Sequence, residues 1–466
     1  MGEQRNSYDK PLPNDFDRFL PWACTQLGVE AIVVVTRTVL VEYVSVVASE
    51  RERKGKGKSK APKPPSTEAT ESIDVPSSTL ISMNSDLKDE TIIRIESVYD
   101  SSYNLVHIRF HNNKTIPSSI LKIIGLIIKF YPTLTMISIN SGLQMQAMYQ
   151  ISKFLPLSKI TDICMDYTYL REANYHVLLD HKGLKTLSIS KCKITDTVLK
   201  TICNKLMYPN TACKTLFALN ISTNIITDVG AKYLADMLRT NRNLSYLNVA
   251  DNGITDEGAE HLFDCLSEFP LKPNELLAKR TRHMAYLKEK SEMIIKTVQE
   301  LKINDYEKKM GRRKSVKPMV SLKKKEKEMV APEAQRSLSH MDTMFLEKAE
   351  ALVENILGHF HDPYSPEDTF FKDGQVYCYG NNTLSYLNVA YNNLTYSSLK
   401  KLCDVIVTQK YLARKPRGLV NVVIEGNFLP ERCEELKQID EILEAALPSY
   451  RKGSTASSMR KRGSVK

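Results

Sequence analysis

The sequence predicts a curved α/β solenoid, in which short parallel strands alternate with helices around one continuous core. Two observations carry this prediction. An apolar pattern, L-x-x-L-x-L-x-x-N-x-L, occupies Leu216, Leu219, Ile221, Asn224 and Ile226, and returns 28 residues later at Leu244, Leu247, Val249, Asn252 and Ile254. Residues 384–390 then read LSYLNVA, which is letter for letter the sequence of residues 244–250. A fixed repeat of this length is typical of solenoids, because one unit cannot bury its apolar face alone and must stack on its neighbours.

Further copies extend the pattern in both directions. They begin at Leu105, Leu134, Ile160 and Leu184 before the strong pair, and at Leu384 and Leu419 after it. We expect the three aliphatic residues of each copy to enter the core, while the residues between them alternate outward along a short strand. We expect the asparagine in the buried turn, where its amide can satisfy backbone groups of adjacent repeats. These structural asparagines are Asn113, Asn224, Asn252, Asn392 and Asn427.

A full helix is predicted in each of the strong repeats. Thr227 and Thr255 stand where helix N-caps belong, and each is followed by an aspartate that suits the positive end of the helix dipole. A 28-residue unit with a complete helix is typical of ribonuclease-inhibitor-like leucine-rich repeats. An ordinary doubly wound α/β domain is the alternative, and the lack of a glycine-rich phosphate loop after these strands disfavours it.

The sequence divides into six segments. The N-terminal region at residues 1–50 has a fold that the sequence does not define. We predict a basic Pro/Ser-rich linker at 51–78, the first part of the solenoid at 79–266, a charged helical and disordered insert at 267–380, the last part of the solenoid at 381–446, and a basic disordered tail at 447–466. Within the insert, apolar residues at helical spacing predict helices over residues 273–309 and 340–360, and residues 369–379 form an extended patch.

Basic residues are concentrated in three blocks, residues 51–63, 308–327 and 451–466. The whole chain carries 65 lysines and arginines against 54 acids, a formal charge of +11. Such blocks either attract acidic surfaces, such as tubulin tails, nucleic acid or anionic lipid, or merely solubilise a linker. Ser315 and Ser464 each follow basic residues two and three positions earlier, so they are candidate phosphorylation sites whose phosphate would weaken the local positive field.

The sequence predicts no catalytic, metal or membrane site. The nine cysteines form no C-x-x-C pair, which argues against zinc and suits a reducing intracellular compartment. No histidine spacing places a nucleophile beside a base, and we expect His107 and His111 to be solvated on one strand face. The apolar run of residues 27–48 holds three charged residues, and its many valines predict strand. We therefore predict no enzyme activity, cofactor, metal, small-molecule substrate or membrane span.

The outward positions of the strands predict the binding surface. On the concave face the candidate partner-binding residues are Tyr246, Asn248, Asp251, Tyr386, Asn388 and Tyr391. Tyrosine and asparagine with few lysines suit a protein-binding surface, and curved solenoids commonly bind partners on this face. The alternative is that the concave face is simply polar.

The order of the segments carries a resemblance to a known family. Two consecutive repeats at residues 216–266 are followed by a charged helix that begins with Pro273-Asn274-Glu275-Leu276, then by a basic insert, the patch DGQVY at residues 373–377, and the resumed repeat at Leu384. With the opening element DFDRF at residues 15–19, this order resembles the leucine-rich repeat-containing protein 71 family. The resemblance implies a protein of ciliated cells that is associated with the axoneme.

The sequence therefore favours a non-catalytic interaction scaffold of the cytoplasm, located at the ciliary or flagellar axoneme. Its partners would be proteins, axonemal or microtubule-associated, with the basic blocks contacting acidic microtubule surfaces. One alternative is a regulatory solenoid of the GTPase-activator type. Another is a nucleic-acid binder that uses the basic blocks, which the scarcity of aromatic residues among the lysines disfavours.

Overall fold

A computed structural model describes residues 10–40, 92–313 and 340–446, and for residues 309–313, 340–341 and 446 it describes the backbone alone. The predicted linker at residues 51–78, the basic block at 51–63, the tail at 447–466 and both candidate phosphorylation sites lie outside the described residues. The same holds for most of the block at residues 308–327.

Ten of the strands form one sheet with the order β1-β2-β3-β4-β5-β6-β7-β8-β12-β13. The strands are β1 (Ile32–Val39), β2 (Ile92–Tyr99), β3 (Leu105–Phe110), β4 (Met136–Ile139), β5 (Asp162–Cys164), β6 (Thr186–Ser188), β7 (Ala218–Asn220), β8 (Tyr246–Asn248), β9 (Phe269–Pro270), β10 (Thr369–Lys372), β11 (Gln375–Cys378), β12 (Tyr386–Asn388) and β13 (Asn421–Val423). Every neighbouring pair from β3 to β13 is parallel. The predicted α/β solenoid is confirmed.

Helices cover the opposite side of the core from the concave strand face. The α-helices are α1 (Phe16–Gln26), α2 (Ser118–Ile127), α3 (Ala147–Phe154), α4 (Asp196–Leu206), α5 (Ala212–Thr215), α6 (Asp228–Leu238), α7 (Asp256–Asp264), α8 (Pro273–Arg313), α9 (His340–Leu357), α10 (Tyr396–Leu412) and α11 (Glu434–Ala446). Short 3₁₀ helices occupy Ile128–Phe130, Leu155–Leu157 and Tyr175–Asp180. The weakest repeat, at Ile160, has a 3₁₀ helix where the strong repeats have a full α-helix.

The aliphatic positions of the repeat pattern are the core. Leu244, Leu247 and Val249 are each 0% exposed, and they belong to one cluster of buried residues that runs from Phe16 to Ile439. The residues between them alternate outward, as strand geometry requires. The solenoid therefore has a single continuous core.

The N-terminal region extends the sheet by two longer strands. β2 runs antiparallel to β3, and β1, from the valine-rich run, pairs in parallel with β2 over eight residues. α1 packs on these strands through Phe16 and Leu20, which are fully buried. The valine-rich run thus forms a strand, as predicted, and the region that the sequence left open is continuous with the solenoid. In the part of the chain that the structure describes, no helix is long and apolar enough to cross a membrane.

The repeat register resumes across the insert. β12 pairs with β8 so that Tyr386 lies opposite Tyr246 and Leu387 lies opposite Leu247. The two ends of the insert meet, because the backbone N–H of Asn381 donates to the carbonyl of Cys265 at 2.8 Å. The two halves of the solenoid therefore stack as if the insert were a loop between neighbouring repeats.

The insert contains more ordered structure than the sequence indicated. α8 and α9 pack together as a hairpin, with Lys302 and Asp342 joined at 2.6 Å near its far end. A three-stranded antiparallel sheet of β9, β11 and β10 lies at its base with a small core of its own. The predicted extended patch at residues 369–379 forms β10 and β11, which pair with each other as a tight hairpin. The sequence did not predict β9 or its pairing with β11, because β9 is two residues long and lies about a hundred residues away.

A buried ion pair attaches the insert to the solenoid. Arg239, the C-cap residue of α6, donates two hydrogen bonds to Glu275 of α8, at 2.7 and 2.6 Å, and both side chains are nearly buried. The hydroxyl of Tyr364 also donates to Glu275, at 2.8 Å. Burial alone would raise the pKa of Glu275, but the hydrogen bonds from Arg239 and the backbone of Lys272 hold it below its ordinary value.

The asparagines of the repeat pattern join neighbouring repeats. The side-chain oxygen of Asn224 accepts the backbone N–H groups of Cys192 and Ile194 in the preceding repeat, at 2.9 and 3.0 Å. Its amide N–H group donates to the carbonyls of Ile189 and Ile221. Asn252, Asn392 and Asn427 make equivalent sets of bonds, and Asn113 bonds both backbone groups of Arg94. Each asparagine thereby satisfies turn groups that a buried position would otherwise leave unpaired.

A second set of bonds runs along the helix N-termini. The carboxylate of Asp228, in the first turn of α6, accepts the backbone N–H and the hydroxyl of Thr255, the N-cap of α7, at 2.7 and 2.8 Å. Asp256 of α7 bonds Thr395, the N-cap of α10, in the same way across the insert. Each threonine hydroxyl in turn caps its own helix. One aspartate therefore orients the helix of the next repeat.

The carboxylate of Asp228 explains why the repeat has a glycine at position 258. A Cβ placed on Gly258 would lie 2.3 Å from Oδ1 of Asp228, the atom that accepts the Gly258 backbone N–H. In the third copy, Ser398 occupies the equivalent position, and its hydroxyl donates to Asp256. The close approach therefore admits glycine, or a side chain that can itself bond the carboxylate.

We predict that Gly258→Ala destabilises the protein by about 1–2 kcal/mol, although alanine favours helices, because the new methyl group displaces the Asp228 carboxylate from its bonds. Gly258→Ser should be milder, since Ser398 shows how a hydroxyl fits. Gly253→Ala is the control, because the nearest atom to a Cβ there is 3.4 Å away. Urea unfolding of the full chain measures all three, and a Gly258→Ala midpoint at or above that of the wild type would contradict the account.

Candidate functional site: the concave strand face

Two tyrosines form the centre of the concave face. Pairing of β8 with β12 sets Tyr246 beside Tyr386, and their rings stack with centroids 4.1 Å apart and an interplanar angle of 7°. Both side chains are half-buried. Burial, and then the hydrogen bond with Tyr386, raise the pKa of the Tyr246 hydroxyl to about 12, so the Tyr246 ring is neutral at physiological pH.

The asparagines beside the tyrosine pair serve partly to hold the strand ends. The side-chain oxygen of Asn248 accepts the N–H of Ala250 at 3.0 Å, and that of Asn388 accepts the N–H of Ala390 at 2.9 Å. The sequence analysis predicted Asn248 and Asn388 as partner-binding residues without this role in the turn. The oxygen of each amide already accepts one hydrogen bond, and the amide N–H group of each remains as a donor for a partner.

Asp251 and Tyr391 lie at the rim, one residue past the strand-end turns. Both have a left-handed backbone, with φ of +54°. Tyr391 is 64% exposed. The two residues border an open pocket of about 360 Å³, whose other lining residues are Ser222, Thr223, Asn248 and Ala250. The six predicted partner-binding residues thus fall on two adjacent repeats, as a stacked pair with a polar rim pocket beside it.

A polar cluster at the other end of the concave face was missed by the sequence reasoning. Glu96 of β2 accepts hydrogen bonds from the Thr38 hydroxyl at 2.7 Å and from Arg109 at 3.3 Å, and it lies 2.7 Å from Nε2 of His111. The expectation that His107 and His111 are both solvated is wrong for His107, which is 7% exposed. The available signal was the alternation of charged and apolar residues in β3 and the glutamate of the preceding strand, whereas Thr38 lies on a strand 58 residues from Glu96.

His107 and Ser138 resemble the base and nucleophile of a catalytic pair, but their hydrogen bonds prevent His107 from acting as a general base. Nε2 of His107 lies 2.8 Å from the Ser138 hydroxyl. Nδ1, however, accepts a hydrogen bond from Arg109 at 3.1 Å, so the ring proton of the neutral imidazole sits on Nε2 and points at Ser138. Burial, and then the Arg109 charge, lower the pKa of His107 to about 4. In this arrangement His107 cannot take a proton from Ser138.

Metal-binding chemistry finds no support in residues 10–40, 92–313 and 340–446, where no three histidine, cysteine or carboxylate side chains are grouped to hold an ion. The cysteines found there are free, and burial raises the pKa of several of them, including Cys192 to about 12. Such thiols are poor nucleophiles because the thiolate is the reactive form.

Comparison with known proteins agrees with the repeat pattern. A family model described as Leucine Rich repeat matches residues 212–235, 240–263 and 380–403. The solenoid is built of leucine-rich repeats. These matches are the copies that begin at Leu216, Leu244 and Leu384, on both sides of the insert. Domains of this kind generally mediate protein–protein interaction, and their fold is typically non-catalytic.

A solved structure is similar over much of the chain. It is the crystal structure of an internalin (inlF) from Listeria monocytogenes, with 12% sequence identity and a TM-score of 0.26, covering 74% of this chain and 76% of that chain. Similarity at this level establishes neither a shared function nor a shared partner. No curated protein matches the chain significantly.

The hydrogen bonds around Glu96 predict that the free energy of unfolding depends on pH. Hydrogen bonds from Thr38 and then His111 lower the pKa of Glu96 from 4.5 to about 2. A carboxyl whose folded pKa is depressed stabilises the fold fully above its unfolded pKa, and this contribution is lost as the pH falls from about 4.5 through 2. We expect the wild type to lose about 1–2 kcal/mol more stability between pH 5 and pH 3 than Glu96→Gln does.

The measurement is urea unfolding at both pH values. Glu289→Gln, which changes an exposed carboxylate on α8, should keep the wild-type pH dependence. Equal pH dependence of Glu96→Gln and the wild type would mean that the cluster around Glu96 does not hold the carboxylate in its charged form.

Proposed function

We propose that the protein is a non-catalytic scaffold that binds a protein partner on its concave face, at the stacked Tyr246 and Tyr386. The observation that supports this most is the tyrosine pair itself, two aromatic rings stacked against each other by strand pairing on the concave sheet face. Aromatic residues that are held rigid lose little entropy on binding, and they are enriched among the residues that dominate interface energies.

The surroundings of the pair suit a protein segment better than a small molecule. The rim pocket is open, and the amide N–H groups of Asn248 and Asn388 can donate to main-chain carbonyls of a bound segment. His107 and Ser138, at the far end of the face, offer no general base. These features support binding without chemistry.

We further propose a place for the protein at the axoneme of cilia or flagella, within the leucine-rich repeat-containing protein 71 family. The support is the order of segments in the sequence: strong repeats, a charged helical insert, then resumed repeats. In this proposal the basic block at residues 308–327 contacts acidic microtubule surfaces. In this proposal the solenoid selects the partner and the basic blocks add electrostatic attraction.

The double variant Tyr246→Ala/Tyr386→Ala tests the binding face. Two truncated interface tyrosines at about 2 kcal/mol each would weaken binding by roughly 700-fold, since every 1.4 kcal/mol is a factor of ten. We expect proteins that the wild-type chain retains from an extract of ciliated cells to be lost by the double variant. Tyr411→Ala is the matched control, because Tyr411 is 87% exposed on α10, away from the strands, and this variant should retain them.

Equal retention by wild type, double variant and control would contradict concave-face binding. The basic blocks are tested separately by co-sedimentation with microtubules, where an electrostatic contact weakens steeply as salt rises. Binding that is insensitive to salt and survives neutralisation of the blocks at residues 51–63 and 308–327 would leave their lysines as solubilising segments.

A further inference from the structure

The outer edge of β1 is eight residues long and has no strand partner among the residues that the structure describes. β1 pairs with β2 along one side over eight residues, and none of the strands in residues 10–40, 92–313 and 340–446 pairs with its other side. The opposite end of the same sheet is β13, which is three residues long. A long edge strand presents a row of free backbone donors and acceptors that can pair with another strand.

Sequence features that protect sheet edges are absent from this strand. Seven of its eight residues, IVVVTRTV, are β-branched, and the register with β2 is unbroken by any bulge. Proline and lysine, which commonly blunt edges, do not occur in it. Its one charged residue, Arg37, forms an ion pair with Asp17 of α1, with Nε 2.6 Å from Oδ2, and its guanidinium lies over the Tyr99 ring. The edge is therefore suited to strand addition.

The backbone direction of β1 defines which residues would pair. The N–H of Leu40 donates to the carbonyl of Tyr99 in β2 at 2.8 Å. Because backbone groups alternate in direction along a strand, the even-numbered residues face β2 and the odd-numbered residues face the open edge. The residues with outward backbone groups are Val33, Val35, Arg37 and Val39.

We propose that β1 pairs antiparallel with β1 of a second copy of this chain, across a two-fold axis through Thr36. In this register Val33 pairs with Val39 and Val35 with Arg37 of the other copy, so all outward backbone groups are used. A residue-centred axis also keeps the concave faces of both copies on the same side. The two ten-stranded sheets become one continuous sheet.

The side chains favour a second copy over an unrelated strand. Ile32, Val34 and Leu40 are exposed large apolar residues on the concave side of this edge, at 47%, 43% and 47%. The two-fold register sets Ile32 opposite Leu40 and Val34 opposite Thr38, so the strand covers its own exposed residues. Thr36 meets Thr36, a favourable cross-strand pair, and no like charges are opposed.

Lysine at the two-fold axis tests the proposal. We expect the full-length wild type to sediment at twice the 53.0 kDa mass of one chain. Thr36→Lys places two ammonium groups directly opposite each other and should raise the dimer dissociation constant at least tenfold. Thr36→Glu should do the same, and an equimolar mixture of the two variants should restore the dimer. Thr186→Lys, the same change on the concave face of β6, should leave the dimer intact.

A second variant tests the pairing register without a change in charge. Directly opposed residues of an antiparallel pair lie close enough for a disulfide, so Thr36→Cys should form a covalent dimer under mild oxidation. A wild type that sediments as a monomer at tens of micromolar would overturn the proposal. A dimer that Thr36→Lys leaves unchanged, or a Thr36→Cys chain that does not cross-link, would place the contact elsewhere and overturn it as well.

Discussion

Side-chain hydrogen bonds from each repeat to the backbone of the next are the interaction on which this structure depends. Leucine side chains can fill a core in many registers, because apolar contacts are not directional. The asparagine of one turn, by contrast, accepts two backbone N–H groups of its neighbour, and the aspartate of one helix bonds the N-cap of the next. Buried polar groups left without such partners would destabilise the stack, so these bonds select one register.

This constraint explains how the solenoid accommodates a long insert. The entropy lost on closing a flexible loop grows only slowly with its length, so a large insertion is tolerated when its ends meet. Here they do meet, at Asn381 and Cys265, and both sets of side-chain bonds continue across the gap: Asn392 accepts the N–H of Ile254, and Asp256 bonds Thr395. The continuous register also places Tyr386 on Tyr246, so the proposed binding face exists only because the repeats rejoin.

Features with a local or periodic signal were predictable from the sequence. The repeat phase gave the strands, the core positions, and the neighbouring positions of Tyr246 and Tyr386. The sequence did not predict the contacts whose partners are far apart and follow no period: the ion pair of Arg239 with Glu275, the pairing of β9 with β11, and the bond from Thr38 to Glu96. The hydrogen bond from the Ala250 N–H to the Asn248 side chain could not be predicted for a different reason, since it depends on the conformation of the backbone turn.

The central claim, that the repeats on the two sides of the insert are direct neighbours, is tested most directly by a cross-link. The hydroxyls of Ser245 and Ser385 lie 2.6 Å apart on adjacent strands. A Ser245→Cys/Ser385→Cys chain should therefore form an intramolecular disulfide under mild oxidation. The pair Ser188→Cys/Ser245→Cys should not, since β7 lies between these positions and two strand spacings exceed the reach of a disulfide. Failure of the first pair to cross-link, or equal cross-linking of both pairs, would contradict the stacked arrangement.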